Sequence, residues 1–329
     1  MTPTRLPAWL ALGGAVLVGV MTAVQARING SLGLALDDGF TAAVISFGSG
    51  LVILIVLTAV LPSARAGFGR LARGAGRQIP FWMLIGGLAG ALTVATQGLT
   101  VATIGVALFT VGVVAGQTVN GLVLDRVGYG PAGVVAVTLG RLAGGLLVVV
   151  AVVLCLAGEG LGSVPWWMLL LPFLAGAGIA WQQATNGRLR QAVGSPIIAT
   201  LVNFIGGTIA LVVADVIHIA VAGAPERFPT EPWLYVGGAI GMIYIILSAA
   251  LVRHTGVLLL GLGSVVGLLA TSVLLDALWP PLSGPSLGAA VAAVFVALIG
   301  VVVAVVPWRA ALRRTARGSA SPRRTVGDD

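Results

Sequence analysis

Charge is what this 329-residue chain has least of. Charged residues make up 9% of it, where a soluble domain carries about a quarter. Lysine is absent, and all 18 basic residues are arginine. With an Ala/Gly/Val bias, that suits a bacterial protein from a GC-rich genome. A single cysteine, Cys155, excludes an internal disulfide and any Cys-based metal site. As a thiol inside an apolar run it reads as a small hydrophobe. The two histidines, His218 and His254, are too few and too far apart to suggest a metal centre. HExxH, GxSxG, P-loop and paired intramembrane carboxylates are all missing, so no enzyme and no cofactor is implied. ATP-driven transport would need a partner carrying the nucleotide site.

Long apolar runs are what the chain has. Hydrophobic residues reach 58% and mean hydropathy is +1.08. Ten runs approach the roughly 20 residues needed to span a hydrocarbon core, at 8–34, 40–61, 81–100, 104–124, 131–157, 165–188, 197–221, 232–251, 256–276 and 286–306. A bilayer admits backbone only when it satisfies its own hydrogen bonds, so these runs are expected to be helices. The third and fourth are joined by so few residues that a tight antiparallel hairpin follows. An all-α polytopic membrane protein is the expected class.

The net charge of +8 is a topology signal and gives no reason to expect nucleic acid. With ten spans, one side collects Arg5, Arg65, Arg70, Arg73, Arg77, Arg126, Arg188, Arg190, Arg253 and the tail from Arg309 to Arg324. The other side collects most of the acids, among them Asp37, Asp38, Glu159 and Asp276. The positive-inside rule then puts both termini in the cytoplasm of a multi-pass inner-membrane protein. Residues 309–329 read as a basic, disordered cytoplasmic tail able to graze anionic lipid. The tryptophans mark span ends, except Trp181, which lies deep in the sixth run beside Gln182.

Two stretches repeat. "VQARINGSLGLALDDGFTAAVISFGSG" from Val24 and "WQQATNGRLRQAVGSPIIATLVNFIGG" from Trp181 share spacing in Gln25/Gln182, Asn29/Asn186, Phe47/Phe204 and Gly50/Gly207. Further on, Trp82, Gly86, Gly87 and Gly90 match Trp233, Gly237, Gly238 and Gly241. Then Gly105, Gly112, Gly116 and Asp125 match Gly256, Gly263, Gly267 and Asp276. The chain divides into halves at 1–160 and 161–308, with five spans each. Five is odd, so the second half enters the membrane inverted, and a site is expected near the midplane between halves.

These two halves, each opening on "Q…NG.L" and continuing with "A..ISF..G" or "A..VNF..G", resemble the YdcZ-type branch of the drug/metabolite transporter superfamily. The stretch "TIGVALFTVGVVAGQTVNGLVLDRVG" is similar to that superfamily's fourth helix. The resemblance implies a ten-helix fold with a central substrate cavity. Small multidrug exporters of the superfamily carry a membrane-embedded Glu in the first helix; here its nearest counterparts are Gln25 and Gln182.

The polar residues inside spans are the candidates for that cavity. Gln25 with Asn29, and Gln182 with Asn186, share a helix face at four-residue spacing. They serve either as glue between the halves or as the lining of a substrate path. Trp181 offers a stacking surface. Thr93, Thr96, Gln97 and Thr100 form a stripe to which Gln117 and Asn120 add, with ordinary packing the simpler role for each threonine. Arg141 lies within a span, either facing the cavity toward an anionic substrate group or snorkelling to the cytoplasmic surface. Asp215 and His218 form either an interfacial ion pair or a protonatable pair coupling transport to a proton gradient. The leading expectation is a secondary transporter of a small metabolite or drug-like solute by alternating access, with a channel or a non-transporting membrane component as the alternative. Both repeats lie in one chain, so a monomer suffices; the expected partners are a small-molecule substrate, the bilayer and protons.

Overall fold

The computed structural model describes residues 8–74, 79–129, 134, 138–156, 164–283 and 285–305. The basic tail, Arg77 and Glu159 lie outside them. The described part is built from helices α1 (Ala8–Leu36), α2 (Gly39–Val60), α3 (Pro62–Gly74), α4 (Gly87–Val127), α5 (Leu139–Leu156), α6 (Trp166–Val193), α7 (Pro196–Ala222), α8 (Gly237–Leu278) and α9 (Leu287–Val305). Among the described residues, four helices are long and apolar enough to cross a membrane, and four shorter helical stretches are apolar. The helices fall on the apolar runs. The addition is α3, a short amphipathic helix carrying Arg65, Arg70 and Arg73.

Local chemistry sets the breaks. Asp37 turns the chain at φ 52, and Asp38 caps α2 by accepting from the backbone N–H groups of Phe40 (2.8 Å) and Thr41 (3.1 Å). Gly194 ends α6 in the left-handed region, and Ser195 followed by Pro196 starts α7.

α4 is two helices and not one rod. A 41-residue straight helix would be about 60 Å long, yet the rings of Trp82 and Tyr129, at its two ends, lie 5.5 Å apart. The reversal is at Gly105, whose φ of +84 a side chain would strain. Asp276 fastens the new N-terminus, accepting from the N–H groups of Val106 (2.8 Å) and Ala107 (2.7 Å). The expected hairpin is therefore present. α8 reverses too: its first limb meets α1 at Gly14–Leu251, and its second meets α1 at Ala15–Gly263.

The halves are held crosswise. α1 packs chiefly on α8, and α6 on α4. A methyl group placed on Gly116 would sit 1.9 Å from the Phe173 carbonyl oxygen, and one on its repeat mate Gly267 would sit 2.1 Å from that of Val16. Both glycines serve close helix packing. α2 and α7 also cross between halves, antiparallel: Thr41 meets Asp215 while Phe47 stacks on Phe204, ring centroids 4.8 Å apart. Gly50 and Gly207 make room for these rings, since a methyl on either would lie 2.3 Å from the other half's phenylalanine. Outward, Val52, Val56 and Val60 of α2 and Ile209, Val213 and Ile217 of α7 are exposed, as a lipid-facing belt requires.

Gly116→Val is expected to lower the melting temperature in detergent sharply, losing more than the 1–3 kcal/mol typical of overpacking because the obstacle is backbone. Gly48→Ala, with nothing within 4 Å of the added methyl, should melt within a degree or two of the parent. Equal melting of the two variants would overturn the close-contact account.

Candidate functional site

A buried amide is tolerated in an apolar bundle only with partners, and the first repeated pair finds one across the seam between halves and one within its own half. Gln25 donates from Nε2 to the Gly237 carbonyl oxygen at 3.0 Å. Asn29 donates from Nδ2 to Gln97 Oε1 at 2.7 Å. Gly237 and Gly241 are bare because the amides occupy the space: a methyl on either would lie 2.2 Å from Asn29 Oδ1 or Gln25 Nε2. Gln25 and Asn29 are 4% and 1% exposed. Asn29 Oδ1 is left without a hydrogen-bond donor.

The second pair sits in the equivalent place with the halves exchanged. Gln182 and Asn186 face Gly90 and Gly86 of the first half, at looser distances of 2.7 and 3.0 Å from a methyl built there. Both side chains are only half-buried. Asn186 Oδ1, like Asn29 Oδ1, has no donor. Trp181 donates to the Tyr129 hydroxyl at 3.1 Å, and that hydroxyl also meets Thr185 Oγ1 at 3.1 Å. The Arg188 guanidinium lies over Trp82 (5.5 Å) and Tyr129 (5.3 Å), so an aromatic–arginine cluster stands at this end of the seam.

The other candidates are placed as follows. Thr93, Thr96 and Thr100 each return their hydroxyl to a carbonyl one turn back. Gln117 donates to Gln183 Oε1 at 3.1 Å on the exposed side, and Asn120 to the Ala177 carbonyl at 2.6 Å. Arg141 is paired with Asp125 at 2.5 Å, both about one-third exposed. Among these, the structure joins Gln97 to the first amide pair and leaves Arg141 at the bundle end.

Asp215 and His218 acquire partners from α2. The Thr41 hydroxyl contacts Asp38 Oδ2 at 2.7 Å and Asp215 Oδ1 at 2.8 Å. His218 Nε2 is 3.8 Å from Asp38 Oδ1, with its ring 5.2 Å from that of Phe40. Sequence reasoning missed Asp38, Thr41 and Tyr129 here. The signal for Asp38 was local, an acid directly before an apolar helix start; its meeting with Asp215 has none, because it joins residues from opposite halves. Arg27, half-buried with Nη1 unbonded, sits in the field of Asp276.

If the Asn29–Gln97 bond is the partner that makes burial of Asn29 tolerable, Gln97→Leu should destabilise by about 1–3 kcal/mol. Asn29→Leu/Gln97→Leu should then lose less than the sum of the single variants. Thermal unfolding of the four-member cycle checks it, and strict additivity would refute the pairing.

Residues 10–154 and 166–306 each match the family described as "Putative inner membrane exporter, YdcZ", so one family model recurs in both halves. No curated protein matches the chain. A solved structure described only as "Crystal structure of protein" superposes with a TM-score of 0.52 at 19% identity, covering 97% of this chain and 100% of its own. That likeness concerns the fold alone.

Proposed function

Because the chain belongs to the YdcZ family of the drug/metabolite transporter superfamily, a family of inner-membrane transporters, we propose that it is a secondary transporter moving a small polar solute by alternating access between two inverted five-span repeats. In this reading the chain crosses the bilayer ten times with both termini cytoplasmic. The observation that carries it is the unequal state of two equivalent amide pairs. Gln25 and Asn29 are sealed against Gly237 and Gly241, while Gln182 and Asn186 stay half-open against Gly90 and Gly86. Exchange of conformation between the halves would seal the second pair and open the first, which is the motion alternating access needs. The antiparallel crossing of α2 and α7 supports the inversion.

The unpaired Asn29 Oδ1 and Asn186 Oδ1 are proposed as acceptors for substrate donors, with Gln97, Trp181 and Thr93 beside them, and Gln117 and Asn120 further along the path. Arg141 is assigned to holding the bundle end, its charge answered by Asp125. Proton coupling is assigned to Asp215 with His218, and now to Asp38 and Thr41. The Thr41 hydroxyl contacts a carboxylate from each half, which makes this cluster the proposed point of coupling between them.

Two experiments test this. With Cys155 replaced by Ala, cysteines at 25 and 182 should label with impermeant thiol reagents from opposite sides of the membrane. Labelling of both from one side would refute the inversion. In proteoliposomes screened with amino acids, organic anions and cationic drugs, a saturable flux should respond to an imposed pH gradient. Asp215→Asn should abolish that response while leaving substrate counterflow; a variant still driven by the gradient would remove Asp215 from coupling.

A further inference from the structure

We infer that the groove between α2, α3 and α7 is a binding site for an anionic phospholipid, the acyl chain between α2 and α7 and the phosphate at Arg65. The groove has a volume of about 360 Å³, and its walls include Ile55 and Thr58 of α2, Phe68 of α3, and Leu201 and Ile205 of α7. That size falls within the range of ligand cavities, and the walls are almost wholly hydrocarbon. Arg65 is the single charged residue among the lining side chains.

Three features favour this occupant over unselective lipid. Arg65 is exposed, and its guanidinium makes no hydrogen bond or ion pair with any described residue, so its charge awaits an anion. Its neighbours on α3 are already engaged: Arg70 donates to the carbonyls of Val193 (2.7 Å) and Gly194 (3.4 Å), and Arg73 to that of Gly69 (3.0 Å). The Arg70 bonds, with Gly67 seated against Ser195 and Ile198, dock α3 on the α6–α7 turn and so hold Arg65 at the mouth. Third, α2, α3 and α7 carry a single acid, Asp215, at the opposite end of the α2–α7 crossing, so nothing nearby repels a phosphate. A cation at the edge of an aliphatic slot matches the two parts of an anionic phospholipid, and basic pockets between helices are a known mode of headgroup capture. The inference needs only a bundle seated in a bilayer and is independent of the transport mechanism.

The test is native mass spectrometry of the delipidated full chain with dioleoylphosphatidylglycerol or dioleoylphosphatidylcholine, folding being checked by melting. The phosphatidylglycerol adduct should dominate, should fall about fivefold in Arg65→Gln, and should survive Arg73→Gln. Ile205→Trp, which fills the slot, should remove it, and glycerol 1-phosphate should not displace it. Equal loss in Arg65→Gln and Arg73→Gln would reveal only a diffuse basic patch and overturn the site. Equal binding of both lipids, retention in Ile205→Trp, or displacement by glycerol phosphate would overturn it as well.

Discussion

Everything in this bundle depends on close backbone contact between helices from opposite halves. Lipid tails are as apolar as the side chains they touch, so helix association in a membrane gains little from burial and must come from packing distance and hydrogen bonds. Here the shortest approaches are at glycines, among them Gly116 against Phe173 and Gly19 against Ser264. Each joins one half to the other. A half on its own would leave these contact faces to lipid, which gives a physical reason for two repeats to persist in a single chain.

Polar groups follow the same seams. Gln25, Asn29 and Gln97 bond across or along the interface between halves, and Asp276 of the second half holds the Gly105 reversal of the first. The repeat is not used symmetrically. Asp125, the mate of Asp276, pairs with Arg141 instead, and the environment of Gln182 and Asn186 is more open than that of Gln25 and Asn29. The aromatic–arginine cluster of Trp82, Tyr129 and Arg188 has no matching cluster among the described residues at the other end, so the two ends of the seam differ in chemistry.

The peripheral helix α3 stands apart from the amide pairs. It is tied to the α6–α7 turn through Arg70, and it meets α2 where that helix ends at Val60. It therefore bridges the halves at the arginine-rich end of the bundle. A lipid held at Arg65 would touch both halves at once, between α2 of the first and α7 of the second.

Much of the architecture was legible from the residues alone. Scarce charge, long apolar runs and a duplicated Gln/Asn/Gly pattern determined a helical membrane protein of two repeats, because a bilayer allows few other uses for such runs. The short link at Gly105 likewise dictated a hairpin. α3 escaped because 13 residues with three arginines form no span pattern. What only the tertiary structure decided is who meets whom: that Asn29 takes Gln97, that Arg141 takes Asp125, and that Thr41 lies between two carboxylates from different halves. Periodicity reports which face of a helix is polar, but partners distant in sequence are chosen by packing, and packing exists only once the halves have closed on each other.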